Sequence, residues 1–198
     1  MNERTSGQVK EQGMKKVSGS RAGGEGGIHV LRFLASCHFW ISLFTISAVL
    51  FPVAVIIWAL TSAFDPRKYI LHQFTCRWSD IILGVNPYWK VKVMGLDKLD
   101  PAASYVMVAN HQSGLDIIVL FKLHTHFKWV AKQELFSIPF IGWNMWLNGY
   151  IPIERSRGKS KLGMMDRAAD AIRRGNCVMI FPEGTRSPDG CLQPYITG

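Results

Sequence analysis

The stretch that decides the fold is Tyr105-Val106-Met107-Val108-Ala109-Asn110-His111-Gln112-Ser113-Gly114-Leu115-Asp116. Its first five residues form a short apolar run of the kind that makes a buried strand. Ile117–Leu123 then reads as the core-facing part of a helix. His111 therefore falls where a strand ends and a helix begins, a place where α/β proteins put chemistry. Asp116 lies five residues on, in the helix's first turn, where the helix dipole already favours a carboxylate. A loop that folds back would let that carboxylate reach the His111 ring, fix its tautomer and leave the second ring nitrogen free to take a proton. A loop histidine beside an ordinary helix-start carboxylate is the plainer alternative, and these residues alone do not decide between the two.

Downstream, the segments alternate in the same way. Lys128–Lys132 and Gly149–Ile153 read as short strands, and Cys177–Phe181 as a fully buried strand of parallel type. Leu162–Arg174 reads as a helix, with Leu162, Met165, Ala169 and Ile172 as its core stripe, Arg173 and Arg174 at its negative end and Gly175 beyond it. Trp143–Leu147 reads as a helix with a broad apolar face. Core packing is the favoured role for that face, and the wall of an acyl groove or a surface dipping into lipid is the alternative. Upstream, Trp89–Val93 alternates with period two, as a half-exposed strand does. Strands and helices in alternation predict an α/β fold with a mainly parallel sheet flanked by helices. Glu183-Gly184-Thr185-Arg186 then sits just past a strand's carboxyl end, on the sheet edge that also carries His111.

Two other stretches accompany the His-x4-Asp motif in order: Gly149-Tyr150-Ile151-Pro152-Ile153-Glu154-Arg155, and Phe181-Pro182-Glu183-Gly184-Thr185-Arg186-Ser187. Together the three resemble the motifs of the glycerolipid acyltransferases, the family of 1-acylglycerol-3-phosphate acyltransferase, over roughly residues 70 to 198. The K-x-E-L-x-x-I-P-x-x-G pattern common in that family stands here as Lys132 through Gly142. The resemblance implies acyl transfer from a thioester, either acyl-CoA or an acyl carrier protein, to the free hydroxyl of a lysophosphatidic acid or a related lysolipid. It gives His111 the role of general base and Asp116 that of its orienting partner. Arg155 and Arg186 would hold the phosphate, since guanidinium grips it with a bidentate fork. Glu183 would order an arginine or the acceptor glycerol, and Gly184 and Thr185 belong to the same substrate-binding turn. Backbone N–H groups near that turn are the candidates for stabilising the oxyanion. Ser113 reads as a helix cap rather than a nucleophile. No metal or other cofactor is expected. His124 and His126 form an H-x-H that raises a metal site only weakly, being at the far end of the helix from His111. The family continues to a fourth motif, a Val-Pro-type strand, so the domain 89–198 is expected to be incomplete at its C-terminal end. An inactive membrane-associated remnant is the alternative reading.

Charge and hydropathy bound the rest. Lys+Arg number 23 against 14 Asp+Glu, which allows nucleic acid, an anionic membrane surface or a phosphorylated substrate as partner. No nucleic-acid motif is present and the basic residues are dispersed, so nucleic acid is set aside. Residues 1–27 carry seven glycines and few large apolar side chains, and are expected to be a disordered tail. Phe33–Phe64 contains no Asp, Glu, Lys or Arg. As a helix it would run about 48 Å, beyond the roughly 30 Å hydrocarbon core of a bilayer. Residues 28–64 are therefore expected to attach the chain to a membrane. Pro52 either kinks one spanning helix or divides a segment that enters and returns. The catalytic domain is expected on the cytoplasmic side. Residues 65–88 read as an amphipathic linker helix, lying in the interface or packed on the domain. Cys37, Cys76, Cys177 and Cys191 lack zinc spacing and require no disulfide framework.

Overall fold

The computed structural model describes residues 22–154, 158–187 and 195. Among these residues four parallel strands make one sheet: β1 (Val106–Val108), β2 (Phe127–Lys132), β3 (Ile151–Ile153) and β4 (Cys177–Ile180), in the order β1-β4-β2-β3. Five α-helices accompany them: α1 (Ala22–Thr61), α2 (Tyr69–Gly84), α3 (Leu115–Leu120), α4 (Ile141–Leu147) and α5 (Gly158–Arg173). The expected parallel α/β architecture is present. Internal contacts divide the chain into two compact units, residues 1–40 and Ile41–Gly198.

In the first unit Ile28, Val30, Leu31, Phe33 and Leu34 are exposed. The apolar stretch Gly27–Thr61 is long and apolar enough to cross a membrane. Pro52 lies inside α1, which continues through it. In the second unit α1 buries Leu43, Ser47, Ala54 and Thr61, one stripe at near-heptad spacing, and leaves Val49, Val53, Ile56 and Leu60 exposed.

The two faces of the sheet follow from strand alternation. Val130, Ile151 and Val178 point to α5 and meet Met164, Ala168, Ala171 and Ile172. Phe127, Trp129, Cys177 and Met179 point the other way, into a core with Cys76, Phe121, Phe136 and Tyr150. The core stripe of α5 is thus 164/168/171/172. Of the expected stripe only Ile172 packs; Leu162, Met165 and Ala169 are exposed. The two stripes overlap on the helical wheel, and contact with the sheet selected the one carrying the smaller alanines.

Two further expectations are corrected. Trp89–Val93 keeps the alternation of half-buried and exposed residues, but forms no strand. The helix α4 turns the opposite way from an apolar core helix. It buries Gly142 and Asn144 and exposes Trp143 and Trp146. Asn144 and Asn148 each donate from Nδ2 to the Thr75 hydroxyl at 3.1 Å, so a polar seam joins α4 to α2. Trp143 lies 5.5 Å from the Phe51 ring of α1, and Trp146 4.8 Å from Phe136. For α2, whose two readings were open, the packed one holds: Leu71, His72, Cys76, Trp78, Ile82 and Leu83 are buried.

α2 also brings a set of basic groups inside. His72 is fully buried; its Nε2 donates to the Thr125 carbonyl at 3.1 Å, so Nδ1 accepts from the Tyr150 hydroxyl at 2.9 Å. His126 donates from Nε2 to Asn176 Oδ1 at 2.9 Å. Lys128 donates to the carbonyls of Arg67 (2.6 Å) and Asn148 (2.7 Å). Burial, reinforced by the Lys128 charge, pushes the His126 imidazole down to about 4. Burial, reinforced by His126 and Lys128, also holds His72 well below the ordinary value. Both rings are neutral in the folded protein at pH 7, while an unfolded histidine protonates near 6.5. Stability is therefore full above pH 6.5 and declines as pH falls toward 4, because in that window the unfolded chain binds more protons. His126 alone accounts for about 3 kcal/mol by pH 4. Thermal midpoints in detergent are expected to fall across pH 6.5 to 4, with a visibly shallower slope in His126→Asn.

Candidate active site

β1 and β4 are neighbours, with Val108 opposite Ile180. Three residues beyond each lie His111 and Glu183, so the parallel register delivers the two loops to one point at the carboxyl edge of the sheet. Alternation settles which residues meet. Met107 and Met179 are partners on one face, and His111 and Phe181 continue the same parity of their strands.

The His111 ring is held on two sides. Its Nδ1 is 3.1 Å from Asp116 Oδ2, a geometry in which Nδ1–H donates and Nε2 is left to accept a proton. The ring plane stacks on Phe181, centroids 4.1 Å apart and 15° from parallel. The same Asp116 oxygen accepts from the backbone N–H groups of Gln112 (2.7 Å) and Ser113 (2.8 Å). The loop thus folds back on the carboxylate, as the five-residue spacing allows. The side chains of His111 and Asp116 retain 15% and 27% of their exposure, so both can be reached from outside. Ser113 Oγ accepts from the Leu115 N–H at 3.2 Å, a local turn bond at the start of α3.

Motif three also holds the His111 backbone. The His111 N–H points at Glu183 Oε1 at 3.4 Å, and its carbonyl accepts from the Ser187 N–H at 2.8 Å. Glu183 is 4% exposed, an unusual place for a carboxylate. Gly184 has φ +64°, which lets the turn close with its N–H on the Phe181 carbonyl at 3.0 Å. Thr185 and Arg186 are exposed beyond this turn. β3 ends at Ile153 on the same sheet edge and Glu154 follows it; Arg155 lies outside the described residues. The sequence did not single out Phe181 as a contact of His111, although the matching strand parities carried the signal. His124 and His126 go separate ways, the first to Asp80 at 3.2 Å, the second to Asn176, and among the described residues no cluster suited to a metal occurs.

A parallel α/β sheet here carries a His–Asp pair at its carboxyl edge, braced by a Pro-Glu-Gly turn from the neighbouring strand, an arrangement able to abstract a proton from a bound hydroxyl. Residues 90–198 match the model of the Acyltransferase family. The chain belongs to that family. It is 37% identical over 137 residues to the chloroplastic 1-acyl-sn-glycerol-3-phosphate acyltransferase of Arabidopsis thaliana, a match covering 68% of this chain and 38% of the relative. It is 32% identical over 136 residues to the 1-acyl-sn-glycerol-3-phosphate acyltransferase of Pseudomonas aeruginosa, covering 68% and 52%. The crystal structure of the 1-acyl-sn-glycerophosphate acyltransferase PlsC from Thermotoga maritima shares the fold, with TM-score 0.63 and 21% identity over 84% of this chain and 66% of that one. The chain spans about two fifths to half the length of these curated relatives.

Proposed function

We propose that this chain is the acyltransferase part of an enzyme that moves a fatty acyl group from a thioester to the free hydroxyl of 1-acyl-glycerol 3-phosphate, giving phosphatidic acid at a membrane. The observation that carries the reading is the His111–Asp116 contact at 3.1 Å, set at the sheet edge by motif three. His111 Nε2 takes the proton of the acceptor hydroxyl as the oxygen attacks the thioester carbonyl. Asp116 keeps Nδ1 protonated and balances the charge of the imidazolium that forms. The thiolate of the donor then leaves as the tetrahedral intermediate collapses. It takes up a proton for which His111 is the nearest source.

Arg186, exposed at the crevice, and Arg155 are assigned to the acceptor's phosphate. Thr185 and Gly184 shape the same turn, and Glu183 braces the loop that carries His111. Lysophosphatidic acid and an acyl-CoA or acyl carrier protein thioester are the proposed substrates, with no further cofactor. Membrane attachment is assigned to α1. The exposed apolar residues of α1 support this, as do Trp143 and Trp146, both exposed on α4, the first of them against Phe51 of α1. The catalytic domain is assigned to the cytoplasmic side, where acyl thioesters are available.

The test is acyl transfer in detergent-solubilised membranes, with labelled acyl-CoA or acylated carrier protein offered to lysophosphatidic acid. Phosphatidic acid formed from either donor supports the reading, and absence of product with both, from folded protein, refutes the pairing. Asp116→Asn sharpens it. One amide oxygen can still accept all three hydrogen bonds that Asp116 Oδ2 accepts, so the change removes charge and keeps shape. A fall in kcat of about 10²-fold or more is expected, with a melting midpoint close to the parent's.

A further inference from the structure

The ring beneath His111 is unlike its other contacts. Asp116 holds the His111 ring by a hydrogen bond at Nδ1, and Glu183 and Ser187 hold its backbone. Phe181 covers one entire face of the imidazole, with centroids 4.1 Å apart and 15° between planes. Phe181 rests in turn on Trp129, at 5.3 Å and 33°, and Trp129 is buried between Phe121 and Phe127. A column of rings therefore runs from the hydrophobic core to the catalytic imidazole. Its base is set by β2 and its middle by the first residue after β4, so it stands on rigid strands rather than on loops.

A single hydrogen bond from Nδ1 leaves the imidazole free to swing about that bond. A flat partner on one face removes this freedom. The stack also changes strength during the reaction. A neutral imidazole on a phenyl ring gains mostly dispersion, whereas an imidazolium on the same face is attracted by the ring's quadrupole. The charged groups that face His111 are Asp116, at Nδ1, and Glu183, at its backbone N–H; neither can fix the tilt of the ring. We propose that Phe181 is a positioning residue for proton transfer: it holds the His111 ring with Nδ1 on Asp116 and Nε2 toward the acceptor hydroxyl, and it favours the imidazolium as the proton arrives. This rests on the reading of His111 as general base.

The experiment uses the full chain in detergent as the parent, Phe181→Leu and Phe181→Tyr, with two readouts. The first is nitrogen-15 NMR of the histidine side chains, with the His111 signals assigned by their loss in His111→Asn. The parent and the Tyr variant are expected to show one Nδ1–H tautomer at His111, and the Leu variant a mixture. The second readout is acyl transfer. Phe181→Leu is expected to lose roughly ten- to hundred-fold in kcat with KM within about twofold, and to shift the acid limb of the pH–rate profile to lower pH. Phe181→Tyr should recover most of the rate. Loss of packing alone would not move the pH limb or the tautomer while sparing KM. A Leu variant with the parent's tautomer, rate and pH profile overturns the proposal, as does a Tyr variant as impaired as Leu. If the parent transfers no acyl group, the proposed reaction fails, and the NMR comparison still decides whether Phe181 sets the ring.

Discussion

His111→Ala is expected to lower acyl transfer by ~10³-fold, within the range that a positioned general base contributes. The variant should remain folded. The two backbone bonds that anchor position 111, from its N–H to Glu183 and from Ser187 to its carbonyl, do not involve the ring, and an alanine keeps both. The lost contacts are the Asp116 bond and the Phe181 stack. Phe181 then faces a gap at the crevice rather than in the core, so the melting midpoint should move little. The decisive comparison is kcat at saturating lysophosphatidic acid, since Arg186, assigned to the acceptor's phosphate, is untouched and KM should change by less than the rate. A reduction below tenfold would remove His111 from the proton-transfer step. Double replacement with Asp116→Asn should add almost nothing to the loss, because Asp116 acts through the ring that is already gone.

The largest effect on stability is expected at Gly142. A Cβ there would lie 2.5 Å from the carbonyl oxygens of Leu135 and Phe136 and from the Phe136 carbonyl carbon. All three are backbone atoms, which cannot turn aside as a flexible side chain could. The first turn of α4 sits against the tight turn Gln133–Ser137 because no side chain separates them. Gly142→Ala must push the two apart, and the turn carries Phe136, one of the most deeply buried side chains. A loss of about 3 kcal/mol is expected, or roughly 6–12 °C in the midpoint for a domain of this size. Gly163 on α5 has open space where its Cβ would be. Gly163→Ala should leave the midpoint unchanged or raise it slightly. Equal responses at the two positions would show that the close approach at Gly142 is not what limits substitution there.

His111 and Asp116 were legible because a strand, a loop and a helix start are local features and five residues of loop suffice to close the contact. The parallel sheet was legible from alternation of apolar runs with helical periodicity. Other features depend on partners distant in sequence. Trp143 and Trp146 suggested a core face for α4, yet Asn144 and Asn148 took the interior because Thr75, some seventy residues away, offered them a hydroxyl. Leu162, Met165 and Ala169 made a plausible stripe, and only the position of the sheet shows that the next stripe round the helix packs. Trp89–Val93 has the alternation of a strand, but alternation reports burial, and a strand also requires a neighbour. Burial of Glu183 had no local signal, since a carboxylate beside a glycine turn normally faces water.

The strand order has a consequence for how the site assembles as the chain is made. β1 is synthesised first among the strands, yet within the described sheet its neighbour is β4, the last, with Val106 opposite Val178. Until β4 emerges, β1 lacks that partner and its backbone hydrogen-bonding edge on that side is open. Apart from Asp116, the groups that grip His111 are the Phe181 ring, the Glu183 carboxylate and the Ser187 N–H, all within residues 181–187. A ribosome that has delivered the histidine must therefore add some seventy more residues before that histidine is held in place. The bracing of His111 arrives late, together with β4, and a nascent chain arrested before Phe181 would carry the histidine without it.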